Sequence, residues 1–185
     1  MEDETVLHDP ERVRALAHPI RLALLEVLET RGEHTATQCA EVIGESVASC
    51  SFHLRILAKY GFVEPGERRG REKPWRSVNR QRTVAPDFDD PVSVRAVGAL
   101  AELTLLRETE RIRDFLGNIH RLPPEFRDSV GILKSVFWAT PEELADLSRE
   151  LQDLMGRFSG RSDDPTLRPE GARRATLFAV LNPEL

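Results

Sequence analysis

Residues 35–60, TATQCAEVIGESVASCSFHLRILAKY, contain two helix-start signals that lie eleven positions apart. The run TATQ, beginning at Thr35, has the Ser/Thr-x-x-Glu/Gln pattern of a capping box, and Ser46 is a favourable N-cap for a second helix. Gly44 lies between them and favours a helix end, because glycine adopts the left-handed conformation at little cost. Two short helices joined by a glycine-containing turn are typical of a helix-turn-helix. The spacing therefore predicts this unit here.

The second helix, expected at about residues 47–60, has two different faces. Successive residues turn by about 100° around a helix axis, so spacings of three and four define a face. The face expected to be buried consists of Val47, Cys50, Leu54 and Leu57. The opposite face consists of Ala48, Phe52, Arg55 and Lys59, with Ser49 and Ile56 on one flank and Ser51 and His53 at the borders. Small, hydroxyl, cationic and single apolar side chains suit base edges, thymine methyl groups and phosphates.

A β-hairpin is predicted directly after this helix. Residues 62–65 (FVEP) and 73–78 (KPWRSV) are rich in β-forming side chains, and Gly66 and Gly70 provide turn geometry between them. The hairpin would cover about residues 62–79, with arginines at its tip. A hairpin behind a helix-turn-helix is the wing of a winged helix, which contacts the DNA backbone or minor groove.

The charge distribution favours the same interpretation, although the net charge of the chain is −5. Residues 64–82 carry seven basic and three acidic side chains, a local net charge of +4. A uniform scatter of the 26 basic residues over 185 positions would place only about 2.7 of them in this window. A local excess of positive charge is what contacts with phosphates require.

Two more helices are predicted before the helix-turn-helix. Asp9-Pro10-Glu11 combines an N-cap, a proline at the first helical position and an acid near the positive end of the helix dipole. Pro19 interrupts this helix and opens a second one, PIRLALLEVLETRG, which ends at Gly32.

The second half of the chain is predicted to mix helices and strands. A linker rich in proline and aspartate precedes a long helix at about residues 92–120, whose apolar residues recur every three to four positions. Residues 129–139 and 174–181 are rich in β-forming side chains and predict strands, and Thr140 caps a helix between them.

These elements predict an α+β fold in two domains. Residues 1–84 form a mainly helical winged helix-turn-helix domain. Residues 85–185 form a dimerising helix and a small α+β domain.

Three runs within residues 10–80 resemble the ArsR-type winged-helix transcription regulators. They are ALAHPIRLALLEVL, TATQCAEVIGESVASCSFHLRILAKYGFVE and the basic wing that follows. The Ser-x-His-Leu-x-x-Leu core at residues 51–57 is fairly specific when it follows an Ala-x-x-His-Pro-x-Arg helix, as it does here. The resemblance implies a homodimeric repressor that releases DNA on binding an effector. The second half loosely resembles an additional C-terminal domain of some longer relatives.

The chain departs from the founding metal sensors of that family at its cysteines. Those sensors place a Cys-x-Cys pair on the first helix of the helix-turn-helix, whereas here Cys39 stands alone and Cys50 lies on the predicted core face. The five histidines fall at no metal-ligand spacing. We therefore expect no metal site and no cofactor. The cysteines are interpreted as small buried apolar residues, with a thiol switch or metal site as the alternative.

The residues expected to contact double-stranded DNA lie at a predicted helix start, on the polar face of the second helix or in the wing. They are Thr35, Ser46, Ser49, Ser51, Phe52, His53, Arg55, Lys59, Arg68, Arg69 and Arg71. For His53 a packing role and a phosphate contact stay open, and for the wing arginines a phosphate contact and a solvated hairpin tip.

Three function classes are distinguished by the sequence. It has no Gly-rich phosphate loop, paired-carboxylate site or nucleophile–base pattern, so we expect no enzyme. A winged helix used only for protein interaction would not need the basic wing. The favoured hypothesis is a DNA-binding regulator, homodimeric on an inverted repeat, with an unidentified small-molecule effector. No apolar run reaches the ~18 residues of a membrane span and the acidic N-terminus is unlike a secretory signal, which predicts a cytoplasmic protein.

Overall fold

The computed structural model of the chain describes residues 7–67, 73–78, 84–161 and 164–183. It divides into two compact units, residues 1–109 and 110–185. The two units are described separately below, and the domain boundary predicted between residues 84 and 85 stays a prediction.

Unit 1 begins with four short helices, each of which starts where the sequence places a capping residue. They are α1 (Pro10–Leu16), α2 (Pro19–Arg31), α3 (Ala36–Ile43) and α4 (Val47–Lys59). The side chain of Asp9 accepts a hydrogen bond from the Glu11 amide at the start of α1, and His18 accepts one from the Ile20 amide at the start of α2. These caps satisfy amide groups that have no partner inside the helix.

The core of unit 1 lies among these four helices. Its fully buried side chains include Val13, Leu24, Leu28, Cys39, Cys50, Leu54, Leu57 and Val63. Burying one leucine side chain contributes about 1.5–3 kcal/mol relative to leaving it in water. The core therefore fixes which side of α4 faces inward.

The predicted hairpin is present as an antiparallel pair, β1 (Val63–Pro65) and β2 (Trp75–Ser77). A third segment, missed by the sequence analysis, extends this sheet on the free side of β2. The amide of His34 donates to the Trp75 carbonyl at 3.1 Å, and the Trp75 amide donates to the His34 carbonyl at 2.8 Å. This bridge ties the hairpin to the segment that leads into α3.

A long helix, α5 (Pro91–Gly117), follows close to where it was predicted. In unit 1 its buried residues are Ser93, Ala96 and Leu100. The Ser93 hydroxyl donates to the His8 carbonyl at 3.2 Å and accepts from the Asp87 amide at 3.0 Å. Arg107 forms a 2.8 Å ion pair with Glu26 of α2. The first half of α5 is therefore packed against the helices of unit 1.

Unit 2 contains the predicted helix α6 (Pro141–Gly156), where Thr140 and Glu143 form the expected capping box. The strands predicted at residues 129–139 and 174–181 are wrong for the described part of unit 2, in which neither segment pairs with another. A β-forming sequence becomes a strand only when a neighbouring backbone supplies its hydrogen bonds. The α+β class is confirmed, because the described residues are mostly helical with one small antiparallel sheet.

Candidate nucleic-acid interface

The turn between α3 and α4 is built by capping interactions. The Thr35 hydroxyl accepts from the Gln38 amide at 3.2 Å, and the Gln38 side chain accepts from the Thr35 amide at 2.8 Å. Gly44 ends α3 in the left-handed conformation, with φ of 73°. Two residues later the Ser46 hydroxyl accepts from the Ser49 amide at 3.1 Å and starts α4. Thr35 and Ser46 thus hold the helix ends, whatever else they contact.

The face of α4 opposite the core is open to solvent, as predicted from helical spacing. Ala48, Phe52, Arg55 and Lys59 are exposed, and Ser49, Ser51 and Ile56 are half-buried. No hydrogen bond or ion pair joins the Arg55 side chain to another described residue. The ammonium group of Lys59 lies 5.1 Å from the ring centroid of Tyr60. This surface therefore offers two cations, two hydroxyl groups and one large exposed ring.

Val47 departs from the prediction, because it was assigned to the buried face and is 44% exposed. It is the first residue of α4, and the whole run from Gly44 to Ala48 is exposed. Helical spacing gives the direction of a side chain but not how far the neighbouring core extends. The exposed run from Gly44 to Ala48, of which the predicted site includes only Ser46, is thus a further part of the candidate surface.

His53 lies inside the molecule rather than on the exposed face, with 8% of its surface accessible. Its Nδ1 atom has no hydrogen-bond partner among the described residues. The ring packs against His18 with centroids 4.4 Å apart, and against Phe52 at 5.1 Å in an edge-to-face arrangement. Of the two roles left open for His53, this burial favours packing.

The two stacked histidines have pKa values below the ordinary histidine value. Burial lowers the pKa of His53 most, and the positive charge of Arg21 lowers it further. Burial also lowers the pKa of His18, followed by the effects of Arg21 and His53. Glu45 acts in the opposite direction on both rings. Both shifts favour the neutral form of the two rings.

Both cysteines lie in the core, as expected. Cys39 and Cys50 have no exposed surface and form no disulfide. Burial, and then the neighbouring Cys50, raise the pKa of the Cys39 thiol to about 12. A thiol with such a pKa is protonated at neutral pH and reacts slowly, which favours the packing interpretation.

At the base of the wing one arginine is paired with a glutamate, whereas the tip of the wing lies outside the described residues. Arg76 on β2 forms a 2.7 Å ion pair with Glu64, its direct partner on β1. Lys73 is exposed just before β2. The predicted contacts Arg68, Arg69 and Arg71 fall outside the described ranges, so they stay predictions.

None of the described helices is long and apolar enough to cross a membrane. Over the described ranges, no three or more histidine, cysteine, aspartate or glutamate side chains are grouped as a metal site would require.

The sequence of residues 16–65 matches a family model described as a helix-turn-helix domain. The chain contains a helix-turn-helix domain. The matched residues run from the end of α1 through α2, α3 and α4 to the end of β1. They include every described residue of the exposed α4 surface. No curated protein sequence matches the chain significantly.

Three solved structures are similar to parts of the chain. One is the homodimeric winged helix-turn-helix DNA-binding domain of a possible ArsR-family transcriptional regulator from Mycobacterium bovis. It is 23% identical, with a TM-score of 0.35 and coverage of 52% of this chain and 76% of that one. Another is a possible transcriptional regulator for arsenical resistance, with 27% identity, a TM-score of 0.34, and coverage of 56% and 94%.

The third is a mutant of ZitR from Lactococcus lactis in its apo form. It is 18% identical, with a TM-score of 0.36 and coverage of 77% of this chain and 84% of that one. All three TM-scores are below 0.5, so these likenesses carry no further conclusion about this chain.

Proposed function

We propose that the chain is a sequence-specific DNA-binding transcriptional regulator of the ArsR type, in which α4 enters the major groove. The observation that carries this proposal is the exposed face of α4. It is the second helix of a helix-turn-helix, and its outward side chains are small, hydroxyl, cationic and aromatic rather than acidic. The second helix of this motif is the one that contacts base edges.

Arg55 is the proposed base contact. Its guanidinium is exposed and has no partner among the described residues, so binding DNA breaks no existing ion pair there. Arginine donates two parallel hydrogen bonds to the O6 and N7 atoms of guanine, which no other base accepts in the same way. Lys59, one turn further along α4 and exposed, is the proposed phosphate contact.

The second part of the proposal is a homodimer formed by α5. Apart from its buried stripe, α5 carries a second row of apolar and small residues that recur every three or four positions except where Glu108 intervenes. They are Val94, Gly98, Ala101, Leu105, Ile112 and Phe115. Within unit 1, Val94 and Leu105 of this second stripe are exposed. An apolar stripe with small residues allows two helices to approach closely. A two-fold dimer would place two α4 helices on an inverted repeat.

The third part of the proposal is regulation by a small molecule. By its resemblance to the ArsR type, the protein would act as a repressor that an unidentified small-molecule effector releases from DNA. Residues 85–185 would serve dimerisation and effector binding.

The experiment is selection of duplexes from a random-sequence pool by the purified full chain, followed by binding titrations. We expect an enriched inverted repeat that is bound more tightly than its scrambled version. Arg55→Ala should weaken binding to the enriched site by about 1–3 kcal/mol and relax the preference at one base pair in each half-site.

The matched control is Arg121→Ala, which removes an exposed arginine of unit 2. It should leave both affinity and preference unchanged. A pool that yields no enriched sequence would contradict DNA recognition, and would favour a winged helix that contacts proteins instead.

A further inference from the structure

We infer that Phe52 selects thymine by contacting its C5-methyl group, so that each half-site contains a thymine whose methyl group the protein requires. This inference rests on the proposed DNA-binding function and names the base chemistry that α4 recognises. Its basis is a row of apolar side chains on the exposed face of α4, where they contribute little to the stability of the isolated chain.

The row consists of Ala48, Phe52 and Ile56, spaced four residues apart along one side of α4. Ala48 is exposed, Ile56 is half-buried against the core, and Phe52 is 58% exposed between them. Residues four apart on a helix are surface neighbours, so these three side chains form one strip. The cations Arg55 and Lys59 lie directly beside it.

The exposed ring of Phe52 contacts a buried ring at one edge. It meets His53 edge to face, with centroids 5.1 Å apart and planes at 74°, and His53 in turn stacks on His18. His53 is buried, so the ring that supports Phe52 is itself fixed in the core. More than half of the Phe52 surface stays accessible to a binding partner.

In the major groove, the C5-methyl of thymine is the apolar group by which apolar side chains distinguish this base. The other major-groove features are hydrogen-bond donors and acceptors, which a phenylalanine ring cannot satisfy. An exposed apolar ring beside two cations therefore fits a thymine next to guanine or phosphate contacts.

The test replaces single thymines of the selected duplex by uracil, which removes only the methyl group. For the wild-type chain we expect one position in each half-site where uracil weakens binding about fourfold, as expected for about 0.8 kcal/mol per buried methyl group. Phe52→Ala should bind the thymine and uracil duplexes equally. Phe52→Leu, which keeps an apolar side chain and measurable binding, should show a reduced penalty.

The matched control is Phe88→Ala, which removes a phenylalanine that is 83% exposed and lies outside α4. It should keep the full fourfold penalty. The inference is overturned if the wild-type chain tolerates uracil at every position, or if Phe52→Ala or Phe52→Leu keeps the full penalty. Failure to bind any duplex specifically would instead overturn the proposed function, and this inference with it.

Discussion

At the scale of single residues, the packed pair of half-buried His18 and buried His53 makes stability depend on pH. Because the folded chain holds their pKa values below about 6.5, the unfolded chain binds more protons in the range below that value. The stability that the two neutral histidines contribute is thus fully present above about pH 6.5. It is lost as the pH falls toward their lowered pKa values in the folded chain. We expect the urea midpoint of the wild type to be lower at pH 5.5 than at pH 7.5.

His53→Leu should reduce this difference, because it removes both a titrating ring and a buried nitrogen without a described partner. The control is His120→Gln, which changes an exposed histidine of unit 2 and should keep the wild-type difference. Equal pH dependence of the wild type and His53→Leu would show that the buried ring is not responsible.

At the scale of elements, α4 and the wing should contribute differently to DNA binding. The proposed wing contacts Arg69 and Arg71 belong to a basic segment and would neutralise phosphates, which are the same in every sequence. Replacing either by alanine should weaken binding to selected and scrambled duplexes about equally, and reduce the slope of log K against log salt by about 1. Titrations at several salt concentrations measure this.

Arg76→Ala is the matched control within the wing, because that arginine is already paired with Glu64. It should change the salt slope less than Arg69→Ala does. If removing Arg69 and Arg71 altered base preference but not the salt slope, the wing would be making base contacts instead.

The elements that the sequence predicted correctly are those specified by local interactions. Capping by Thr35, Ser46 and Thr140 involves groups within three residues, so the starts of α3, α4 and α6 follow from sequence alone. The third sheet segment at His34 depends on Trp75, 41 positions away, and has no local signal. For the same reason, β-forming composition at residues 129–139 did not establish a strand.

The candidate site, like the helices and strands, could be predicted only where local interactions determine it. Periodicity identified the outward face of α4, because the direction of a side chain on a helix is a local property. It could not identify the exposure of Val47, which depends on where the neighbouring helices end. Nor could it decide between packing and phosphate contact for His53, which depends on its stacking with His18.

At the scale of the whole molecule, dimerisation would convert one weak winged helix into a pair that binds together. Because a two-fold interface uses the same surface of both copies, one substitution in it acts twice. Leu105, 47% exposed, lies on the second stripe of α5, whereas Leu106, 59% exposed, is turned about 100° away from it. Leu105→Glu should therefore disrupt the dimer, and Leu106→Glu should leave it intact.

Light scattering at micromolar concentration should give a dimer for the wild type and for Leu106→Glu. Leu105→Glu should dissociate at least tenfold more readily, because two leucines leave the interface, each worth about 1.5–3 kcal/mol when buried. The monomer should also bind a single half-site nearly as well as the inverted repeat, whereas the dimer strongly prefers the repeat. A wild-type monomer, or equal effects of the two glutamates, would show that this stripe of α5 does not form the interface.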